Sequence, residues 1–421
     1  MLTAVVGINW GDEGKGRMVD LLSVDYDIVC RYQGGNNAGH TVINDYGKIV
    51  LNLLPSGISR EGTVNVMGNG MVIDLEHLVH EIQSLREKGI HIGSDNLKIS
   101  DKAVICLPWH KMQDIMEEDR LKDKKFGSTR RGIGPVYADK YMKKAIRMGD
   151  LFAPDKLPEK VADLTEWKNL TVRGYGHEPV KAEDILAWLH EFGDPIKPYI
   201  TDVSDYLYDA ASAGENIMFE AQLGALRDID FGIYPYTSSS CTLAGYATIG
   251  AGIPGLKLDK TIGIMKAYSS CVGEGPFTVE MFGDEAEALR RAGGEYGAAT
   301  GRPRRVGAFD IPASRYGVRM HGADCIALTK MDVLSYMDKI PVCVAYDING
   351  EITEKFPVGE RLNAAKPVFE YMEGFGDISG CRKPEDLPKA AMDYIRYLEA
   401  AVGCKIKYVS VGAGRDEYVE L

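Results

Sequence analysis

The chain has 421 residues, 45% hydrophobic and 26% charged, and its 49 Lys and Arg against 61 Asp and Glu give a net charge of −12. That is ordinary globular composition with ample length for a large core. The acidic balance excludes a protein that coats nucleic acid or an anionic membrane, but not anionic small ligands, because net charge does not say where charges sit.

The first apolar run, residues 2–8, predicts a strand, and it leads straight into Trp10 and a Gly-rich turn, Gly11 to Gly16. Three glycines there surround Asp12, Glu13 and Lys15. Glycines let backbone N–H groups approach phosphate oxygens, a following helix start adds its positive end, and Lys15 supplies a cation. This is not a Walker A loop, since Asn9 stands where its first glycine belongs and Gly16 where its Ser or Thr belongs. A second strand, 27–32, leads into a similar loop ending in Gly39, His40 and Thr41, where a histidine suits an acid or electrophile role. After a strand at 63–67, residues 75–88 predict a helix capped by Asp74 and stopped by Gly89, with His77 and His80 on its surface. A strand at 103–107 precedes the basic stretch 120–147, whose ten cations face only Asp123 and Asp139. Its aromatics, Phe126, Tyr137 and Tyr141, are too few for a nucleic-acid track, so phosphorylated metabolites fit better.

Residues 156–213 are the most helical region, with helices predicted at 183–192 and 199–213, and read as a subdomain. A strand at 217–220 follows. The longest uncharged run, 231–256, carries five glycines and two prolines and reads as loops rather than a membrane span. Beyond it come a strand at 261–266, a helix at 285–292 and a cationic loop of Arg302, Arg304 and Arg305, whose forks suit carboxylates and phosphates. The strand at 325–329 ends in Thr329-Lys330-Met331-Asp332, similar to the signature of guanine-specific sites. An aspartate there accepts the N1 and 2-amino hydrogens of guanine. Strands at 342–346 and 407–411 and a helix at 389–402 complete the chain. Continuous apolar strands alternating with helices predict an α/β fold: a large central, mostly parallel sheet flanked by helices, with P-loop-like loops at the carboxyl strand ends, where ligands bind. No repeat or linker divides the chain, so residues 1–421 read as one domain. Eight cysteines without a CxxC pair predict reduced thiols and a cytoplasmic setting.

Together these segments resemble adenylosuccinate synthetase: WGDEGKG (10–16), RYQGGNNAGHT (31–41), RGIGP (131–135), DIDFGIYP (228–235), GEGPF (273–277), TGRPRR (300–305), TKMD (329–332) and SVG (410–412). The resemblance implies a homodimeric, GTP-dependent ligase that joins IMP and L-aspartate through 6-phosphoryl-IMP, releasing GDP and phosphate. That is the first committed step of AMP synthesis from IMP. It also implies one Mg²⁺ per subunit, held by Asp12 and the Gly39 carbonyl. By the same resemblance Asp12 is the base, His40 the acid and Lys15 an electrostatic partner. IMP contacts are implied for Asp12, Glu13, Gly14, Lys15, Asn37, Ala38, Gly39, His40, Thr129, Lys143, Gln222, Ser238 and Arg302. GTP contacts are implied for Gly11, Asp12, Glu13, Gly14, Lys15, Gly16, Arg17, Gly39, His40, Thr41, Arg304, Lys330, Met331, Asp332, Ser410, Val411 and Gly412. L-Aspartate contacts are implied for Ala298, Ala299, Thr300, Gly301, Arg302, Pro303 and Arg304.

The chain departs from the family pattern on the IMP side. Lys143 replaces an arginine that reaches the neighbouring subunit's IMP, Gln222 is displaced by one position, and Ser238, Cys241, Cys271 and Asn36 replace other residues. Two alternatives stand beside this reading: a relative using another 6-oxopurine nucleotide, and, from TKMD alone, a guanine-nucleotide switch. Retention of Asp12 favours IMP over dGMP, and a switch has no use for His40 or the arginine loop.

Overall fold

The apolar runs assemble into a ten-stranded sheet. In chain order its strands are β1 (Leu2–Gly7), β2 (Ile28–Arg31), β3 (Val64–Met67), β4 (Leu97–Ser100), β5 (Ile200–Thr201), β6 (Ile217–Gly224), β7 (Lys260–Lys266), β8 (Cys325–Thr329), β9 (Ile406–Ser410) and β10 (Tyr418–Glu420). The computed structural model describes residues 1–296, 301, 303–357 and 359–421. Across the sheet the order is β10-β9-β8-β7-β1-β6-β2-β3-β4-β5. Every neighbouring pair is parallel except β9 with β10. Helices cover both faces, so β1 and β8 are buried along their whole length and show no in–out alternation.

The order has one reversal. From β1 the chain runs outward through β2, β3, β4 and β5, returns to insert β6 between β1 and β2, then runs outward the other way. A crevice opens beyond the carboxyl ends of strands at such a switch point. The β1–β6 pairing is irregular just there. Val5 pairs with Glu220 and Gly7 with Gly224, so β6 bulges by two residues, and Leu223 takes a φ of +63°. Bulges next to sites re-aim side chains, and this one sits beside Gln222.

The observed elements correct three sequence expectations. The runs at 103–107 and 342–346 form strands, but outside the main sheet. Val104–Ile105 pairs with Val72–Ile73, and Lys339–Ile348 belongs to a separate sheet with Glu351–Thr353 and Ala365–Glu373. An apolar run signals a buried strand without naming its partner. The helix expected from residue 199 begins at Val203, because the Asp202 side chain accepts from the N–H groups of Ser204 (2.9 Å) and Asp205 (3.2 Å). Residue 200 and its neighbour instead extend the sheet as β5. Helix Leu75–Glu87 starts where predicted, at Asp74, whose carboxylate accepts from His77 N–H. His80 is exposed as expected, while His77 is half-buried, its Nε2 3.0 Å from Asn52 Oδ1.

Helix Ile311–His321 braces β1. Asp310 caps it, accepting from Ala313 N–H at 3.1 Å, and the Tyr346 hydroxyl lies 2.7 Å from both Asp310 oxygens. Burial pushes the Asp310 carboxyl up to about 6 from 3.8. A folded-state value above the unfolded one means the fold binds this proton more tightly. Its contribution is therefore full at low pH and is lost as pH rises through about 6. Between pH 4 and 7 the expected loss is about 2 kcal/mol. Urea unfolding at both pH values should show that drop in the wild type and not in Asp310→Asn; equal drops remove Asp310 as the cause.

All eight cysteines are unpaired, and all but Cys241 are buried. No described helix is long and apolar enough to cross a membrane.

Candidate active site

The loop after β1 turns into helix α1 (Lys15–Leu22). Gly14, at φ +91°, precedes the helix with no side-chain cap, and the first turn holds no acidic residue. Its free N–H groups and the positive end of the helix dipole form an anion cradle. The loop is closed from within. Glu13 Oε1 accepts from the N–H groups of Asn9 (3.1 Å) and Gly11 (2.7 Å), and Glu13 Oε2 pairs with Lys15 Nζ at 3.0 Å. Lys15 Nζ also donates to the Gly11 carbonyl at 3.0 Å. Both side chains are buried, so Lys15 is turned inward and matched by Glu13.

The second loop packs against the first. A Cβ on Gly16 would lie 2.6 Å from the Cβ of His40. His40 therefore occupies the space of a Walker A hydroxyl residue, which explains the glycine. His40 is buried, with Nδ1 2.5 Å from Glu220 Oε1. Glu220, on β6, is fully buried and also accepts from Ser56 N–H (2.7 Å) and Ser56 Oγ (2.5 Å). Burial alone would raise its carboxyl, but His40, Arg31 and Ser56 outweigh this and hold it below the usual range. Glu220 thus stays ionised and orients the imidazole. Burial pulls His40 below its ordinary value, with Glu220 opposing.

Gln222 is spent on the same loop. Its Oε1 accepts from Arg31 (2.8 Å) and from Gly35 N–H (3.0 Å), and its Nε2 donates to Asn37 Oδ1. Ala38 is buried, its carbonyl held by Asn52, while the Gly39 backbone is exposed and Thr41 half-buried at the start of the hairpin His40–Asn44 and Gly47–Leu51.

Asp12 stands at the opening. Its carboxylate accepts from Ser270 Oγ and lies 3.4 Å from Lys266 Nζ and 3.7 Å from Arg304. Among the described residues the cations paired with Asp12 are thus Lys266, at the end of β7, and Arg304. Behind them lies Glu295, fully buried, which pairs with Lys266 (3.0 Å), Arg304 (2.9 Å) and Lys330 (3.1 Å) and accepts from the Tyr268 hydroxyl.

Beyond β8 and β9 the base-pocket candidates converge. Arg17 donates to Ser410 Oγ and to the carbonyls of Gly414 (2.6 Å) and Glu417 (3.0 Å). Ser410 Oγ also bonds the Gly412 carbonyl at 2.9 Å. Val411 and Met331 are buried. Burial raises the Asp332 carboxyl, and its Oδ1 is buried without a hydrogen-bond partner. A buried, unpartnered acceptor is costly unless a ligand's donor meets it.

The IMP-side candidates form an outer rim. Helix Ile133–Tyr141 abuts the second loop through Tyr137, whose hydroxyl accepts from Gly34 N–H at 2.9 Å. Thr129 is exposed in the loop before it. Ser238 Oγ lies 3.4 Å from Ser240 Oγ. Lys143 is set apart, exposed past the far end of that helix, about 13 Å along its axis. At Cys271, Arg227 donates to the sulfur at 2.8 Å and its guanidinium lies 5.2 Å from the Trp10 ring. Gly301 and Pro303 are exposed; Ala298, Ala299, Thr300 and Arg302 lie outside the described residues.

Four residues of this site escaped the sequence reading: Glu220, Lys266, Ser270 and Glu295. Two of them carried a signal. A charged residue inside an otherwise apolar strand, as at Glu220 and Lys266, marks a buried ion pair or a site.

An anion cradle opening beside paired cations is what an enzyme of nucleoside triphosphates requires, and the crevice defines the chain as one of that class. Comparison with known proteins narrows the class. A model of the adenylosuccinate synthetase family matches residues 4–419. The adenylosuccinate synthetase of Caldanaerobacter subterraneus subsp. tengcongensis is 44% identical over 423 residues, covering 100% of this chain and 99% of that one. That of Streptococcus gordonii is 43% identical over 416 residues, covering 98% and 96%. The structure of fully ligated adenylosuccinate synthetase from Plasmodium falciparum matches with a TM-score of 0.92 at 36% identity, covering 100% and 99%. Cyanophage S-2L succinoaminodeoxyadenylate synthetase, solved with dGMP and dATP, shares the fold alone, at a TM-score of 0.61 and 18% identity over 100% of this chain and 95% of that one. The chain belongs to the adenylosuccinate synthetase family. Its enzymes are Mg²⁺-dependent ligases that join IMP and L-aspartate at the expense of GTP.

Proposed function

We propose that Asp12 and His40 carry the chemistry by which this chain makes adenylosuccinate. Asp12 takes the N1 proton of IMP, and the oxyanion left at O6 attacks the γ-phosphorus of GTP, with GDP leaving. The amine of L-aspartate then adds at C6, and the C6–O bond breaks to release phosphate. The observation that carries this reading is the packing of Gly16 on His40, which brings the Asp12 loop and an imidazole held by Glu220 to one crevice. Glu220, kept ionised, opposes the pull of burial on His40, and an anionic phosphoryl group arriving at Nε2 would complete the imidazolium that donates to it. Lys266 and Arg304 balance Asp12, and Lys15 keeps the cradle closed through Glu13.

Mg²⁺ fits the donors present. It binds few protein carboxylates and completes its shell with water and phosphate oxygens. Among the described residues no cluster of His, Cys, Asp and Glu forms a protein cage, whereas Asp12 and the exposed Gly39 carbonyl offer hard oxygens at the cradle. Those two would hold the ion, which would neutralise charge on the transferring phosphoryl group. Asp332, Lys330 and Ser410 form the guanine pocket, supported by the unpaired Asp332 oxygen. Asn37, Thr129 and Arg302 meet IMP, and Thr300, Arg302 and Arg304 meet L-aspartate.

The chain acts as one catalytic unit in a homodimer. Helices Leu157–Gly174 and Ala182–Gly193 share an apolar core with the sheet rather than closing one of their own. Tyr141 and Met142, 73% and 59% exposed beside Lys143, suit a surface covered by a partner subunit. Buried, unpaired thiols suit a cytoplasmic setting. The test is an assay of purified protein with IMP, L-aspartate and GTP. Phosphate release and the adenylosuccinate chromophore should appear only when all three are present; GTP turnover indifferent to IMP and L-aspartate overturns the reading.

A further inference from the structure

Glu295 has no place in the chemistry above, yet it is the most heavily engaged carboxylate beside it. It lies just past helix Gly283–Gly293, with 0% exposure. Its Oε1 meets Lys266 at 3.0 Å, Lys330 at 3.1 Å and the Tyr268 hydroxyl; its Oε2 meets Arg304 at 2.9 Å. Its backbone joins in, since Arg304 N–H donates to the Glu295 carbonyl at 2.9 Å.

These donors come from three separate places. Lys266 ends β7 and stands beside Asp12. Lys330 follows β8 and belongs to the guanine signature; its Nζ is further held by the Gly293 carbonyl at 2.5 Å. Arg304 belongs to the loop assigned to L-aspartate and lies within 3.7 Å of Asp12. A long, flexible cation is placed by its counter-charge, and a buried carboxylate with four donors has little freedom to move. One side chain thus sets the position of the guanine-pocket lysine and of the aspartate-loop arginine together.

We propose that Glu295 is a positioning residue that couples the guanine pocket to the L-aspartate subsite, fixing Lys330 through one carboxylate oxygen and Arg304 through the other. The proposal rests on the subsites assigned above. It distinguishes the three substrates, because the IMP-side contacts of Asn37 and Gln222 belong to a different network, with Arg31, and Asp12 meets the cations held by Glu295 only at 3.4 and 3.7 Å, so the effect on IMP should be the smallest of the three.

The test is steady-state kinetics of Glu295→Gln against the wild type, which must first show three-substrate turnover; a wild type without it refutes the functional reading, not this one. Glutamine keeps the shape but loses the charge. KM for GTP and KM for L-aspartate should both rise by about tenfold or more, as expected for losing charge-assisted bonds, with KM for IMP within about twofold. Tyr268→Phe removes one donor and leaves the charge, so it is a milder probe should Glu295→Gln fold poorly. It should raise the same two constants by about threefold and leave that for IMP unchanged. A rise in only one of the two constants, or a fall in kcat alone as for a mere loss of folded enzyme, overturns the coupling.

Discussion

Asp12→Asn is expected to lower turnover by about 10³-fold or more while leaving the fold intact and GTP affinity within about fivefold. Asparagine keeps the size of the side chain, and its amide oxygen can still accept from Ser270. Lys266 and Arg304 lose one carboxylate, but Glu295 still holds both, at 3.0 and 2.9 Å. What the amide cannot do is take the N1 proton of IMP; it keeps an oxygen for Mg²⁺ without the charge, and the allowance of about fivefold on GTP affinity covers that loss. The proposed guanine pocket, with Asp332 and Ser410 on other strands and their loops, is untouched. Single-turnover kinetics and nucleotide titration separate the two effects, and turnover within tenfold of wild type removes Asp12 from the role of base. The same variant reports on the dimer. If Lys143 serves the partner subunit's site, mixing Asp12→Asn with Lys143→Ala protein restores part of the activity through hybrid sites. No recovery after proven subunit exchange places Lys143 outside the neighbouring site.

His40→Asn is expected to cost about 10²- to 10³-fold in kcat, with a smaller effect on KM for GTP. The loss falls on phosphoryl transfer, where the imidazole, protonated beside the phosphoryl group, balances charge that develops in the transition state. The fold survives because the Asn amide can donate to Glu220, and Ser56 continues to supply that carboxylate with two donors, at 2.7 and 2.5 Å. The measurement is pre-steady-state release of GDP. A normal GDP burst in the variant would show that His40 does not act on the transferring group.

Local chemistry was legible in the sequence, and partner choice was not. The loops after β1, β2 and β8 could be read because glycine, charge and strand-end position coincide within a few residues. Helix Lys389–Val402 was read with its observed bounds because Gly403 in the left-handed conformation ends a strong apolar period. The insertion of β6 between β1 and β2 could not be read, since no local pattern records a neighbour nearly two hundred residues away. Glu295 stayed hidden for a related reason: a glutamate after a helix looks solvated until three cations, 9, 29 and 35 residues away, are folded around it. Lys15 shows a subtler limit. Its position after glycines speaks for phosphate, yet Glu13, two residues earlier, claims its charge.

The late return of β6 has a consequence for biogenesis. Until residue 224 has left the ribosome, β1 and β2 lack the strand that lies between them. The nascent chain can wind β2 through β5, but it holds a gap where its central strand belongs. The oriented imidazole forms only when Glu220 arrives with that strand, and the proposed guanine pocket waits for β8 and β9. Substrate binding is therefore among the last properties the chain acquires. A product terminated before Glu220 would carry both glycine loops and still lack the carboxylate that holds His40 in place.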